Sequence, residues 1–231
     1  MTRPYGSTAV MQSRRSPPKA LDYFPTPPWA TRALVEYVLI PNGFEPWLMG
    51  ALDPCCGEGH MVETLRESFR TVEASDIFDY GRGYQVADVL ESGVIYNSHA
   101  DVIITNPPFN IALEIVLAAL ARWRFEGIFV LVRTAWLESE ERYRKLFSFY
   151  PPDIFAPFVE RVPMVAGRYD PKASSATAYA WVGWMNPETF RASAGPAVTF
   201  IPPCRKRLER REDIRRWCAP ANAPLLDGAS G

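Results

Sequence analysis

The sequence predicts an α/β protein built on a doubly wound, mainly parallel sheet with a late antiparallel strand. Three observations lead there. Strand-like apolar segments alternate with helical ones from Ala51 onward to Phe147, the pattern that produces parallel sheets. Residues 127–133 (Gly-Ile-Phe-Val-Leu-Val-Arg) form a continuous apolar run, as strands covered on both faces do. Polar residues suited to binding, Asp53, Asp76, Asp88 and Asn106, each fall where such a strand stops. Ligands of these sheets bind beyond the carboxyl ends of the strands, so all four are expected to face one crevice.

Taken in order, residues 1–20 carry Arg3, Arg14, Arg15 and Lys19 without a continuous apolar segment. They read as a disordered basic arm and not as a secretory signal. Tyr23-Phe24-Pro25-Thr26-Pro27-Pro28-Trp29 then leads into a helix over 30–39. Thr26 is its expected cap, Pro27 and Pro28 its first turn, and Leu34, Val35 and Val38 its apolar face. Asn42-Gly43 ends it. Ala51-Leu52-Asp53 reads as a short strand running through Pro54-Cys55-Cys56-Gly57-Glu58-Gly59 into a helix over 61–69. Gly57 and Gly59 permit positive φ and let a ligand approach bare backbone, and the helix start adds a positive dipole end. A G-x-G pair alone is weak, but Asp76 closes the next strand, 71–76, about 20 residues on, where nucleotide-binding α/β folds keep an acid for ribose hydroxyls. Asp88 marks the strand end after that.

Residues 101–105 are the following strand and 111–123 an apolar helix; 138–147 is a charged amphipathic helix with both signs of charge. Strands are expected at 155–162 and 178–185, and a further one at 197–201. Between the first two lies 163–177, a connection longer than usual, holding Arg168 and Lys172. Residues 205–217 read as one basic helix with seven Lys or Arg against Glu209, Glu212 and Asp213; 219–231 reads as a flexible tail.

Lys plus Arg number 25 against 26 acidic residues, a net charge of −1. A polyanion would therefore have to be held by local patches, since the average field offers no steering. No apolar run reaches the ~18 residues of a membrane span. The four cysteines, Cys55, Cys56, Cys204 and Cys218, show no Cys-x-x-Cys pair, and only His60 and His99 accompany them. Reduced thiols, a cytoplasmic location and no metal are the expectation.

The chemistry concentrates at Asn106-Pro107-Pro108-Phe109. Asn-Pro is ordinary turn chemistry, but each residue here has a further use. The prolines stiffen the backbone and fix how Asn106 projects. The Asn106 amide oxygen can accept a hydrogen bond from an NH2 group, and Phe109 offers a face for a flat heterocycle.

With these residues in view, the chain resembles the class I S-adenosylmethionine-dependent amino-methyltransferases, and among them the bacterial and phage DNA adenine-N6 methyltransferases of the Asn-Pro-Pro-Phe type. Phe24-Pro25-Thr26-Pro27 resembles their Phe-x-Thr-Pro segment over the cofactor pocket. Asp53-Pro54-Cys55-Cys56-Gly57-Glu58-Gly59 resembles their cofactor loop. Asp76 and Asp88 stand where the ribose acid and the acid contacting the cofactor adenine are found, and Asn106-Pro107-Pro108-Phe109 matches the catalytic tetrapeptide. The likeness covers about 22–135 with specific motifs and fades through about 186.

The resemblance implies a Rossmann-like methyltransferase domain over 21–203, followed by the basic helix and tail at 204–231. It implies S-adenosyl-L-methionine held by Phe24, Pro25, Thr26, Asp53, Pro54, Cys55, Gly57, Gly59, Asp76 and Asp88, and methyl transfer to the 6-amino group of adenine in DNA. The amine would be held by Asn106 and the Pro107 carbonyl, in a turn stiffened by Pro108, with the base on Phe109. No large target-recognition domain is evident, so Arg168 and Lys172 are the candidate phosphate contacts, and a specificity subunit or a second copy of the chain is compatible with the pattern. Other readings are methylation of an RNA base or a protein glutamine, or a methyltransferase-like binding module without catalysis.

Overall fold

Burial follows the apolar runs. The computed structural model describes residues 23–122, 124–190 and 196–218; the arm expected over 1–20 and the tail expected over 219–231 lie outside them. The strands are β1 (Gly50–Asp53), β2 (Thr71–Asp76), β3 (Gln85–Val86), β4 (Val102–Thr105), β5 (Gly127–Arg133), β6 (Ile154–Pro157), β7 (Tyr179–Met185) and β8 (Ala197–Val198). They form one sheet in the order β3-β2-β1-β4-β5-β7-β6-β8. All pairings are parallel except those of β7, which runs against β5 on one side and β6 on the other. The fold is thus the α/β class expected, with its late antiparallel strand. β1 lies between β2 and β4, so the chain turns from one half of the sheet to the other there, and the crevice at such a switch point is where these sheets bind ligands.

The period-two alternation of strand side chains divides the core. Ala51, Val102, Ile104, Phe129, Leu131 and Trp181 join one buried cluster, and Leu52, Ile103, Ile128, Val130, Val132 and Trp184 the other. The first face is covered by α1 (Pro28–Leu34) through Trp29, Ala33 and Leu34, and by α2 (His60–Leu65) through Met61 and Leu65. The second is covered by α3 (Val94–Asn97) through Ile95 and by α4 (Ala112–Leu120) through Ile115, Val116 and Ala119. On that side α5 (Glu140–Arg142) passes into a π turn over Tyr143–Phe147 whose Leu146 is buried. Among the described residues no helix is long and apolar enough to cross a membrane.

Several boundaries differ from expectation. The first helix starts at Pro28 and passes into a π turn, Val35–Leu39. Its N-cap is Pro27 without a side-chain bond, so Thr26 does not cap it; Thr26 is buried at the crevice instead. The basic helix is two, α6 (Arg205–Leu208) and α7 (Arg211–Trp217). The break has a tertiary cause. Asp213 caps the Arg210 N–H at 2.9 Å while its carboxylate takes both Arg32 Nη1 (2.6 Å) and Nη2 (2.8 Å). Arg32, on α1, also donates to the Leu208 carbonyl (2.7 Å) and to Glu67. This buried junction fastens α6 and α7 to α1.

Candidate active site

β1 ends at Asp53, whose carboxyl is buried, and there the chain enters the glycine loop. Thr105 Oγ1, at the end of β4, donates to Asp53 Oδ1 at 2.8 Å, and the Cys55 N–H reaches the same oxygen at 3.3 Å. Burial pushes the Asp53 carboxyl up from 3.8 to about 7, against the lowering effect of those two bonds and with a smaller push from Asp76. Asp76 closes β2. Its Oδ2 accepts from the Gly57 N–H (2.7 Å) and its Oδ1 from the Phe78 N–H (3.0 Å); burial raises it as well, with these bonds opposing. Asp88 follows β3 and accepts from the Leu90 N–H at 2.9 Å.

Asn106 follows β4. Its Nδ2 donates to the Phe24 carbonyl at 2.8 Å. That bond spends the amide's donor end on the chain itself and leaves Oδ1 as the group free to accept. Tyr23, next to Phe24, is held in turn by the Gly167 N–H on its carbonyl (2.9 Å). The 23–26 segment is therefore clamped from both sides, by Asn106 and by the long 163–177 connection.

Asp53, Asp76, Asp88 and Asn106 border one cavity of about 350 Å³, together with Phe24, Pro25, Thr26, Pro54, Cys55 and Pro108. That size suits a ligand of nucleoside dimensions. Ten of the sequence-derived positions thus share one wall. Others lie elsewhere. Pro107 is buried and outside the lining, and Phe109 is half-buried, packed against both core clusters. Arg168 and Lys172 are exposed and away from the cavity; Arg168 pairs with Asp170 at 3.4 Å. Most cations of 205–217 are engaged by acids. Arg205 meets Glu209 (3.3 Å), Arg210 meets Glu67 (3.0 Å), Arg216 meets Glu63 (2.6 Å) and Arg207 meets Glu36. Such pairing leaves little free charge to track a polyanion.

The glycine loop has the positive φ expected of its glycines. Gly57 and Gly59 have φ of +54° and +91°, values that side chains other than glycine's strain to adopt. Their bare faces are covered by the protein's own rings. A Cβ at Gly57 would fall 2.4 Å from Tyr23 Cε2, and one at Gly59 2.0 Å from Tyr84 Oη. Those rings stand on the side where a Cβ would point, and the Gly57 N–H ties the loop to Asp76.

Sequence reasoning passed over several wall residues. Ile77 follows Asp76 directly, and Val89 and Leu90 follow Asp88, giving apolar surface beside each acid. An apolar residue directly after a strand-end acid was a readable signal. His60 was not readable as such. Its ring stacks on Trp217 (centroids 4.0 Å, 28°), and among the described residues neither ring nitrogen has a hydrogen-bond partner. Burial, with Arg82 and Arg216 adding, lowers it to about 3, so the imidazole is neutral at physiological pH. Tyr80, packed on Tyr23 with centroids 4.9 Å apart, closes the rim.

Three carboxyls around an apolar-walled cavity, two of them raised by burial and Asp53 the further, suit a ligand that is cationic at one point and carries a hydroxylated ring at another. A bound cation would favour the ionised Asp53 that burial disfavours, and the Asp76 carboxylate can accept from neighbouring hydroxyls.

No protein-family model matches the sequence, and no curated protein matches it. Solved structures do. A candidate RNA methyltransferase from Pyrococcus horikoshii superposes with a TM-score of 0.50 at 17% identity, covering 80% of this chain and 99% of that one. The modification subunit of a candidate type I restriction enzyme from Vibrio vulnificus superposes with a TM-score of 0.51 at 14% identity, over 90% of this chain and 54% of that one. The chain spans about half the length of the Vibrio subunit. At such identities the likeness is one of fold.

Proposed function

We propose that this chain is an S-adenosylmethionine-dependent methyltransferase acting on the 6-amino group of adenine in DNA. The observation that carries the reading is the cavity itself. It joins Asp53, Asp76 and Asp88 to Asn106, and Asn106 has its donor end tied to Phe24 so that its acceptor end is left for an amine.

Asp76 would accept from the ribose hydroxyls, Asp88 would face the adenine amine of the cofactor, and Asp53 would lie on the cationic side. When bound, S-adenosylmethionine supplies an electrophilic methyl group on a sulfonium centre. The protein's part is alignment. Asn106 Oδ1 and the Pro107 carbonyl would accept from the target NH2 and so favour charge building on its nitrogen. Asn106 is not a proton-abstracting base, because a neutral amide oxygen is too weak for that. Pro107 and Pro108 hold the turn stiff, and Phe109 would stack on the base. In a duplex the base must first leave the stack, at a cost of a few kcal/mol that stacking on Phe109 helps to offset.

An RNA base is the second reading, because the Pyrococcus fold neighbour is described as an RNA methyltransferase and the same acceptor would hold an amine on either strand. A tritiated-methyl assay on DNA, tRNA, rRNA and release-factor protein separates them. Label in DNA is the expected result; label only in RNA or protein would replace the DNA reading.

A further inference from the structure

Arg133 ends β5 beside the Asn106 turn, since β5 lies next to β4 and parallel to it. Its guanidinium carbon lies 4.7 Å from the Phe109 ring centroid and 5.3 Å from that of Phe24. One cation thus spans the two aromatic residues that flank Asn106. Other arginines of the chain also sit on rings. Arg66, Arg82, Arg207 and Arg216 each have a carboxylate as well. Arg122 on Tyr96 and Arg142 on Trp136 share with Arg133 a buried Nε without a hydrogen-bond partner but do not touch Phe24 or Phe109. Among the described residues no carboxylate pairs with Arg133, and its Nε is buried without a hydrogen-bond partner.

A half-buried guanidinium with an unmet donor and no counter-ion is unfavourable unless an anion comes to it. Its planar fork matches two oxygens of a phosphate. A nucleotide turned out of its strand to present an amine to Asn106 brings a phosphodiester with it; a protein glutamine brings none.

We propose that Arg133 anchors the phosphodiester of the nucleotide whose amine Asn106 receives, which makes this a site for a nucleic-acid strand and not for a protein side chain. The inference rests on the amino-methyl transfer reading above. Arg133 reaches the backbone of the substrate from the sheet side of the turn, whereas Arg168 and Lys172 stand on the outer loop. Its stacking on Phe24 and Phe109 holds the fork in place before the strand arrives.

The test uses the full chain, S-adenosylhomocysteine and an adenine-containing DNA oligonucleotide, with binding measured across a salt series for wild type, Arg133→Met and Arg133→Lys. Cofactor affinity is measured by calorimetry alongside. Loss of one phosphate contact lowers the slope of log K against log salt by about 0.7 to 0.9. Arg133→Met is expected to show that drop and at least about a tenfold loss of oligonucleotide affinity, with cofactor affinity within about threefold of wild type. Arg133→Lys keeps the charge and is expected to keep the slope. An unchanged slope in Arg133→Met with slower turnover would overturn the proposal, since Arg133 would then only hold Phe109. A parallel loss of cofactor affinity would overturn it too. Wild-type protein that methylates a protein glutamine and binds no oligonucleotide would overturn it while leaving methyl transfer intact. Wild-type protein that binds no cofactor would overturn the underlying reading.

Discussion

Replacing Asp53 with asparagine should make the protein more stable and less able to bind the proposed cofactor. Asp53 is 1% exposed, and burial lifts its carboxyl from 3.8 to about 7. A raised folded-state value means that the folded protein holds this proton more tightly than the unfolded chain. Stability is therefore highest below 3.8 and is lost as pH rises through about 7. Spread over that interval, the shift corresponds to at most about 4 kcal/mol at about 1.4 kcal/mol per tenfold. Relaxation and water entering the open cavity reduce it, so about 1–2 kcal/mol is expected. The amide that replaces the carboxyl keeps an oxygen for Thr105 Oγ1 and the Cys55 N–H, so the change removes charge without removing that acceptor. Urea unfolding of wild type and Asp53→Asn at pH 4.5 and pH 8 measures it. The gap between the two proteins should be much smaller at the lower pH, and the variant should exceed wild type at the higher one. Cofactor affinity in wild type should rise with pH up to about 7 and be at least about tenfold weaker in the variant at pH 8. A variant no more stable than wild type at pH 8 would refute the burial argument.

Further outcomes follow from the same geometry. Asn106→Ala should keep cofactor affinity within about threefold by calorimetry and lose about 100-fold or more in single-turnover methyl transfer, the loss usual for one aligned hydrogen-bonding group. Arg32→Met leaves Asp213 buried without its partner and should cost about 3–5 kcal/mol in urea unfolding; adding Asp213→Leu should recover much of it, and no recovery would mean the junction is not what fastens α6 and α7. Gly59→Ala must adopt a φ of +91° and displace Tyr84. It should lower the thermal midpoint, and Tyr84→Ala in the same chain should restore only the steric part, leaving at least about 1 kcal/mol of backbone strain.

The sheet was legible because its strands are short apolar runs that end in polar residues. The strands ending at Asp53, Asp76, Thr105 and Arg133 could be placed from the chain alone, and with them the edge where the carboxyls gather. What the sequence did not disclose depends on contacts far apart in the chain. Arg32 and Asp213 are 181 residues apart, and their pairing breaks what would otherwise be one helix. Tyr23 and Tyr84 stand where a Cβ at Gly57 or Gly59 would fall, a packing that the loop's own residues do not announce. Thr26 looked like a helix cap by type, but the proline after it takes that position. Arg133 looked like the last residue of a strand. Only the neighbouring strand's turn places it over Phe109.

The most direct test of the central claim is mass spectrometry of nucleosides from unmethylated DNA incubated with the protein and isotopically labelled S-adenosylmethionine. The account predicts label in N6-methyladenine, lost with Asn106→Ala. Label in no DNA nucleoside, with the protein folded and the cofactor bound, would contradict it.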